Sequence, residues 1–204
     1  MLATALDIVK RDELPEDLVQ RAQAGDVEAF EALYREYYPR IYALALRMLR
    51  DGRLAEELSV EIFARAWESL GSFRGKSAFG TWLHRLGVNQ ILNYLRTEKR
   101  RHARITIVAD LAEGPDARDA PHEPTERLDM DAYARDVARA MPDTRIDLER
   151  AIAALPDRAR EALILHHVEG YKYREIADLM GTKIGTVKAQ IHRACAMIRE
   201  AMAE

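Results

Sequence analysis

This sequence predicts an all-α protein: two small helical domains joined by an acidic flexible linker. Three observations predict it. Apolar residues recur at steps of three and four, and no alternating strand pattern exceeds the short Ile105-Thr-Ile-Val run. Prolines and small residues interrupt that periodicity in the middle of the chain. Charge is divided unevenly along it. From Asp110 to Glu149 there are twelve acids and five arginines, which gives that stretch −7 and leaves +4 for the rest of a chain whose net charge is −3.

The elements come in order. Residues 1–14 read as an N-terminal tail. Pro15-Glu16-Asp17 opens a first helix, because proline suits a first turn and acids there complement the dipole; it should close near Gly25. Asp26 can cap a second helix carrying Val27, Phe30, Leu33, Tyr34 and Tyr37. A third should run from Ile41 to about Leu49 and stop at Asp51-Gly52, and a fourth from about Leu54 to Leu70. Gly71-Ser-Phe-Arg-Gly-Lys-Ser77 breaks the pattern before a fifth helix from about Phe79 to Arg101, with Trp82, Leu83, Leu86, Ile91, Leu92 and Leu95. Residues 15–101 thus form one domain. Residues 102–144 read as the linker: Ala112 to Pro124 holds three prolines and no large apolar residue. A helix over 125–140, ended by Met141-Pro142, is the only element expected there. Residues 145–204 read as a second domain of four helices, the first marked by Ile146, Leu148, Ile152 and Leu155. Pro156 begins the second and Gly170 closes it.

Composition narrows the function. Hydrophobic residues make up 48% and charged residues 32%, which suits globular cores in water. No apolar run reaches the roughly 18 residues of a membrane span, so no membrane insertion is expected. The first residues place charge after a short apolar stretch, the reverse of a secretory signal, and a cytoplasmic location is expected. The single cysteine, Cys195, allows no internal disulfide and too few thiolates for a zinc finger. Catalytic and metal-binding roles have no candidate. The six histidines lack metal-ligand spacing with carboxylates, and His166 and His167 should face different sides of a helix. Gly71 to Ser77 lacks the gap and preceding strand of a phosphate loop. No cofactor and no enzymatic activity are expected.

The last fifty residues carry the sharpest signal. Tyr173 to Arg193 reads as two short helices about a tight turn: Ala177 is small where the helices approach, Gly181 supplies a left-handed residue, and Val187 plugs the second helix onto the first. In such a helix-turn-helix the second helix enters the DNA major groove. Val187, Ile191, Ala194 and Ile198 should face the core. That turns Gly185, Lys188, Ala189 and His192 outward, with Thr186 and Arg193 on the flanks and Lys183 ahead of the helix. Lysine and arginine can read guanine edges or hold phosphate.

Two further stretches could carry contacts. From Ser77 the aromatics Phe79 and Trp82 precede a helix that turns basic through Arg96, Lys99, Arg100, Arg101 and Arg104. Rings interleaved with bases suit unstacked single-stranded nucleic acid, although the rings could equally be core. Leu54 to Leu70 is amphipathic with an acidic face at Glu56, Glu57 and Glu61, either plainly solvated or a surface for a basic partner helix.

Taken together, the two ends resemble the extracytoplasmic-function (ECF) sigma factors. Glu56-Glu-Leu, Glu61-Ile-Phe-Ala-Arg-Ala-Trp, Phe73-Arg-Gly, Phe79-Gly-Thr-Trp-Leu-His-Arg-Leu-Gly-Val-Asn and Tyr94-Leu-Arg are similar to domain two of that family. Ala154-Leu-Pro-Asp-Arg-Ala-Arg-Glu-Ala, Val168-Glu-Gly-Tyr, Glu175-Ile-Ala and Gly185-Thr-Val-Lys-Ala-Gln-Ile-His-Arg-Ala are similar to domain four. The resemblance implies a bacterial transcription initiation factor. Its expected partners are core RNA polymerase, through the clamp helices of the largest subunit and the flap, promoter DNA, and an anti-sigma factor. An envelope or stress response would be the setting. It implies minus-35 contacts by Lys183, Gly185, Thr186, Lys188, Ala189, His192 and Arg193. Minus-10 contacts would come from Ser72, Phe73, Arg74, Lys76, Phe79, Trp82, Arg85, Asn89, Asn93, Arg96 and Arg100, around an unstacked base of the non-template strand. Polymerase contacts would come from Glu56, Glu57, Leu58, Glu61 and Phe63. One residue departs from the family: Val60 stands where glutamine is common. Two rivals stay open, a sigma mimic that sequesters an anti-sigma factor and a helix-turn-helix repressor.

Overall fold

In the computed structural model the structure describes residues 16–112, 130–140 and 146–203, and every regular element among them is helical. The expected tail, the 113–129 stretch and Met141-Pro142 lie outside the described residues. The helices are α1 (Glu16–Gln23), α2 (Val27–Leu49), α3 (Gly52–Ser69) with a 3₁₀ turn at Leu70–Ser72, α4 (Phe79–Ala112), α5 (Met130–Ala140), α6 (Ile146–Ala153), α7 (Asp157–Leu163), α8 (Tyr173–Met180) and α9 (Ile184–Ala201). A single wide π-type turn, Ile164–Val168, extends α7.

Caps set the first boundaries. The Asp26 carboxylate accepts from the Ala29 amide at 3.1 Å, and Asp51 accepts from Leu54 at 2.9 Å, each satisfying an amide that the helix leaves free. Between α2 and α3 sits Arg50, in the left-handed region at φ 62°, the only non-glycine described residue there. That conformation costs an L-residue roughly 1–2 kcal/mol. Hydrogen bonds from its side chain to Ala153 and Asp157, in the other domain, hold the residue in place.

Three expectations are corrected. The segments expected as separate helices at 26–37 and 41–49 are one helix, with Pro39 inside it. An interior proline removes a hydrogen bond, but Pro39 lies on the exposed side. The buried stripe Leu33, Tyr37, Ile41, Leu44, Met48 keeps its helical step across it, so packing decides. The helix from Phe79 does not stop at Arg101; it runs to Ala112 and takes in Ile105–Val108, the one candidate strand. Nor is the linker wholly without core: in α5, Tyr133 and Val137 are buried against α2 and α6, and burial pushes the Tyr133 phenol up so that it stays neutral.

Helices α1–α4 pack around Leu33, Ile41, Leu44, Ile62, Phe63, Leu83 and Ile91. Burying side chains of this size contributes about 1.5–3 kcal/mol each. Helices α6–α9 pack around Ile152, Leu155, Ala159, Ile164, Ile176, Val187 and Ile191, with α7 and α9 in closest association. The two units touch through α2 with α6 and α4 with α8.

Candidate nucleic-acid interface

Domain four shows the turn the residues demand. Gly181 has φ 61°, and its amide donates to the carbonyls of Ala177 and Asp178, closing α8. Ala177 is 4% exposed and Val187 1%, so the close approach and the plug are both made. The Glu175 carboxylate accepts from the Lys172 amide at 2.9 Å and fixes the start of α8. On α9, Val187, Ile191 and Ala194 are buried and Ile198 is half-buried. Lys183, Gly185, Thr186, Lys188, Ala189, His192 and Arg193 all stand in solvent, the face a major groove would meet. The Lys188 ammonium lies 5.7 Å from the centre of the Tyr173 ring. That contact holds it by cation–π attraction.

In domain two the loop after α3 is pinned from α1: the Gln23 amide donates to the carbonyls of Leu70 (3.1 Å) and Phe73 (2.8 Å). Phe73, Phe79 and Trp82 then form a ring cluster with centroids 5.3–6.0 Å apart. Phe79 is 6% exposed and packs on Tyr37, so its part is to seat the loop. Phe73 and Trp82 are half-buried; Ser72, Arg74 and Lys76 are exposed around them. Along α4, Arg85, Asn89, Asn93 and Arg100 share the exposed side, and Asn93 accepts from Arg96 at 3.0 Å. Rings, amides and guanidinium groups are thus brought onto one side of domain two.

The acidic helix gives a mixed outcome. Glu56, Glu57 and Glu61 are exposed on α3; Glu57 pairs with Arg53 and Glu61 accepts from Gln90 at 2.7 Å. Leu58 (5% exposed) and Phe63 (2%) lie in the core beneath this face. Val60, by contrast, is 51% exposed among the carboxylates. Beside them Tyr34, Tyr38 and Tyr42 make a half-buried ladder. Burial, then the Glu56 charge, raises the phenol pKa of Tyr34; burial dominates at Tyr38 as well. Helical spacing alone marks Tyr34 as an apolar position. The spacing of four is visible in the chain, but the partial exposure of the ladder is not.

Several residues carry contacts that the sequence gives no reason to expect. His84 Nε2 lies 2.6 Å from the Glu169 carboxylate, and the Tyr171 hydroxyl 3.5 Å from His84 Nδ1. Burial pushes the Tyr171 phenol up to about 12. Arg47 grips Glu149 with two nitrogens, at 2.9 and 3.1 Å, and Glu149 is 1% exposed. Arg50 donates to the Ala153 carbonyl (2.9 Å) and to Asp157 (3.2 Å). Arg160, also 1% exposed, donates to Leu155 and, across the domains, to the Met48 carbonyl at 3.3 Å. Nothing in helical periodicity marks a polar residue whose partner lies a hundred positions away. The rings of His166 and His167, expected on different sides, touch at 4.8 Å. Their turn is wound wider than an α-helix. Among the described residues no His, Cys, Asp or Glu group is arranged to hold a metal ion. No helix among them is long and apolar enough to cross a membrane.

Known proteins share this arrangement. Residues 33–101 match Sigma-70 region 2, and residues 145–198 match Sigma-70 region 4. The RNA polymerase sigma-H factor of Pseudomonas aeruginosa is 34% identical over 195 residues, covering 93% of this chain and 94% of that protein. The ECF RNA polymerase sigma-E factor of Haemophilus influenzae is 35% identical over 89% of this chain and 91% of its own length. That of Escherichia coli K12 is 35% identical over 87% and 88%. Among solved structures, a sigma factor of Bartonella quintana in complex with the anti-sigma factor NepR aligns with a TM-score of 0.53. It is 23% identical and covers 87% of this chain and 98% of that one. CnrH in complex with the cytosolic domain of CnrY aligns at 0.50, with 21% identity, over 91% and 95%. Those two likenesses speak for the fold.

Proposed function

The chain belongs to the ECF sigma factors of the sigma-70 family and is a transcription initiation factor, and we infer how its faces divide that work. The exposed face of α9 reads the minus-35 element: Lys188, His192 and Arg193 reach base edges and phosphates, with Lys183, Gly185, Thr186 and Ala189 around them. The observation that carries this is the exposure of all seven, six on α9 and Lys183 just ahead of it, after a turn fixed by a left-handed Gly181. The loop Ser72–Lys76 and the exposed side of α4, through Arg85, Asn89, Asn93, Arg96 and Arg100, take the minus-10 non-template strand. Phe73 and Trp82 lie beside the unstacked base.

Core RNA polymerase docks on α3 through Glu56, Glu57 and Glu61, with Val60 supplying an apolar contact where the family commonly has glutamine. Domain four reaches the flap. The likeness to a sigma factor solved in complex with the anti-sigma factor NepR supports an anti-sigma partner for this chain as well. A sigma mimic would have no use for three exposed cations at Lys183, Lys188 and Arg193, and a likeness to sigma factors that spans both domains puts the repressor behind as well.

Run-off transcription with purified core polymerase on a genomic promoter library tests the assignment. New start sites sharing two spaced motifs are expected. Polymerase that binds the protein yet starts nowhere new would overturn it.

A further inference from the structure

We propose that Ile184 takes the methyl group of a thymine in the minus-35 element, in a close approach to DNA that the bare backbone at Gly185 admits. The contact rests on α9 being the duplex-reading helix and adds the chemistry of one base pair that this helix prefers.

Two residues in the first turn of α9 have no work inside the chain. Ile184 opens the helix one step ahead of the buried stripe Val187, Ile191, Ala194, yet it is 43% exposed where Val187 is 1%. An exposed apolar side chain is ordinary by itself; its neighbours give this one a meaning. Lys183 before it and Gly185, Thr186 and Lys188 after it are all exposed. A branched apolar side chain therefore stands in a polar, cationic face.

Gly185 supplies the second observation. A methyl group added to its α-carbon would meet no atom within 4 Å, and its φ is not positive. Neither a turn nor crowding within the chain calls for glycine there, and glycine in a helix gives up stability that alanine would keep. A position left bare on the outer side of a helix lets the edge of another molecule come close to the backbone.

Helix geometry aims Ile184 at that edge. Side chains lean toward the helix N-terminus, and the N-terminal residues of a recognition helix are those that contact base edges in the major groove. Lys183 and Lys188, on either side of Ile184 in the chain, suit the phosphates and fix register. The side chain between them can neither donate nor accept a hydrogen bond. Set against a polar base edge it would strip water and return nothing. In the major groove the apolar group on offer is the thymine C5-methyl.

Deoxyuridine lacks that methyl group and keeps every hydrogen-bonding atom of thymine. The experiment takes the full-length protein with core polymerase on a promoter found by run-off mapping. Each thymine of the minus-35 element, on either strand, is replaced in turn by deoxyuridine. The holoenzyme concentration giving half-maximal initiation is read for wild type and for Ile184→Ala. In the wild type one replacement should weaken promoter binding about fourfold, the factor expected for one apolar carbon withdrawn from water. In Ile184→Ala the same replacement should have no effect. Circular dichroism checks that the variant keeps its helices, as alanine in a first turn should allow. Gly185→Ala should melt at a higher temperature and yet bind the same promoter more weakly.

A wild type indifferent to every replacement, or an element without an A·T pair, would overturn the contact. So would a methyl effect of equal size in Ile184→Ala, which would hand the methyl group to Ala189 or Thr186. A Gly185→Ala protein that binds as tightly as wild type would overturn the close approach. Lys188→Ala with Arg193→Ala separates these failures from that of the helix. If the pair lowers minus-35-dependent initiation while the methyl effect is missing, Ile184 alone falls. If initiation ignores the pair as well, the reading of α9 falls and the methyl contact with it.

Discussion

On α9 the residues Gly185, Lys188, His192 and Arg193 stand in solvent, while on α4 Arg96 is bonded to the Leu179 carbonyl and Arg85 and Asn89 face the carboxylates of α8. Both helices carry basic groups on one side and an apolar stripe on the other. What separates them is the origin of the surface. The α9 face is fixed locally, by a glycine turn and a stripe of small and branched side chains. The α4 face is completed by a loop pinned from α1 and then met by another domain. Local chemistry tells which way a side chain points; it does not tell what stands opposite.

Substitutions can break this contrast. The largest effect is expected at Arg160, buried with its guanidinium shared between Leu155, Asp157 and Met48. Arg160→Ala should cost about 3 kcal/mol by chemical denaturation, because it strands polar partners in the core and cuts a tie between the domains. A loss under about 1 kcal/mol would show the site to be wetter than its burial implies. Gly181→Val comes next. A β-branched residue at φ 61° should destabilise domain four by about 2 kcal/mol, and an unchanged melting profile would mean that the turn relaxes to another shape. Lys188→Ala with Arg193→Ala should lower minus-35-dependent initiation roughly tenfold and reduce the salt dependence of promoter binding, with no change in melting. Equal loss on promoters lacking that element would place these residues elsewhere in the mechanism. Smallest of all, Arg53→Ala should shift stability by no more than about 0.5 kcal/mol, since its pair with Glu57 is mostly in solvent. A larger shift in denaturant midpoint would give the α3 surface a structural part.

Much of the fold is legible in the chain. Asp26 announces a helix start, Asp51-Gly52 a break between helices, Gly170 and Gly181 helix ends, and the stripe Val187, Ile191, Ala194 the inner side of α9. Boundaries fail where tertiary packing overrules a local signal: Pro39 does not interrupt α2 because the buried stripe continues past it. The extension of α4 to Ala112 is hidden because a polar, basic helix end and a linker look alike in composition. In the candidate site, the exposed α9 residues are readable from rotation about a helix axis. The burial of Leu58, Phe63 and Phe79 is not, since similarity to a motif does not tell how deep a residue lies. The ties from Arg47, Arg50 and His84 to domain four have no sequence mark, being pairings across roughly half the chain.

The wide turn at Ile164–Val168 carries one residue more than an α-helix would use. The Glu169 amide reaches back to Ile164 at 3.0 Å, and the Tyr171 amide to Leu165 at 2.8 Å. Deleting a single residue there would restore ordinary helical winding and swing the downstream helices by about 100°, turning Glu169 and Tyr171 off His84 without altering a side chain. The meeting of the two domains is therefore encoded partly as a count of residues. Length change within this segment, which scattering from a one-residue deletion would register, is a route to uncoupling them that substitution scanning would never sample.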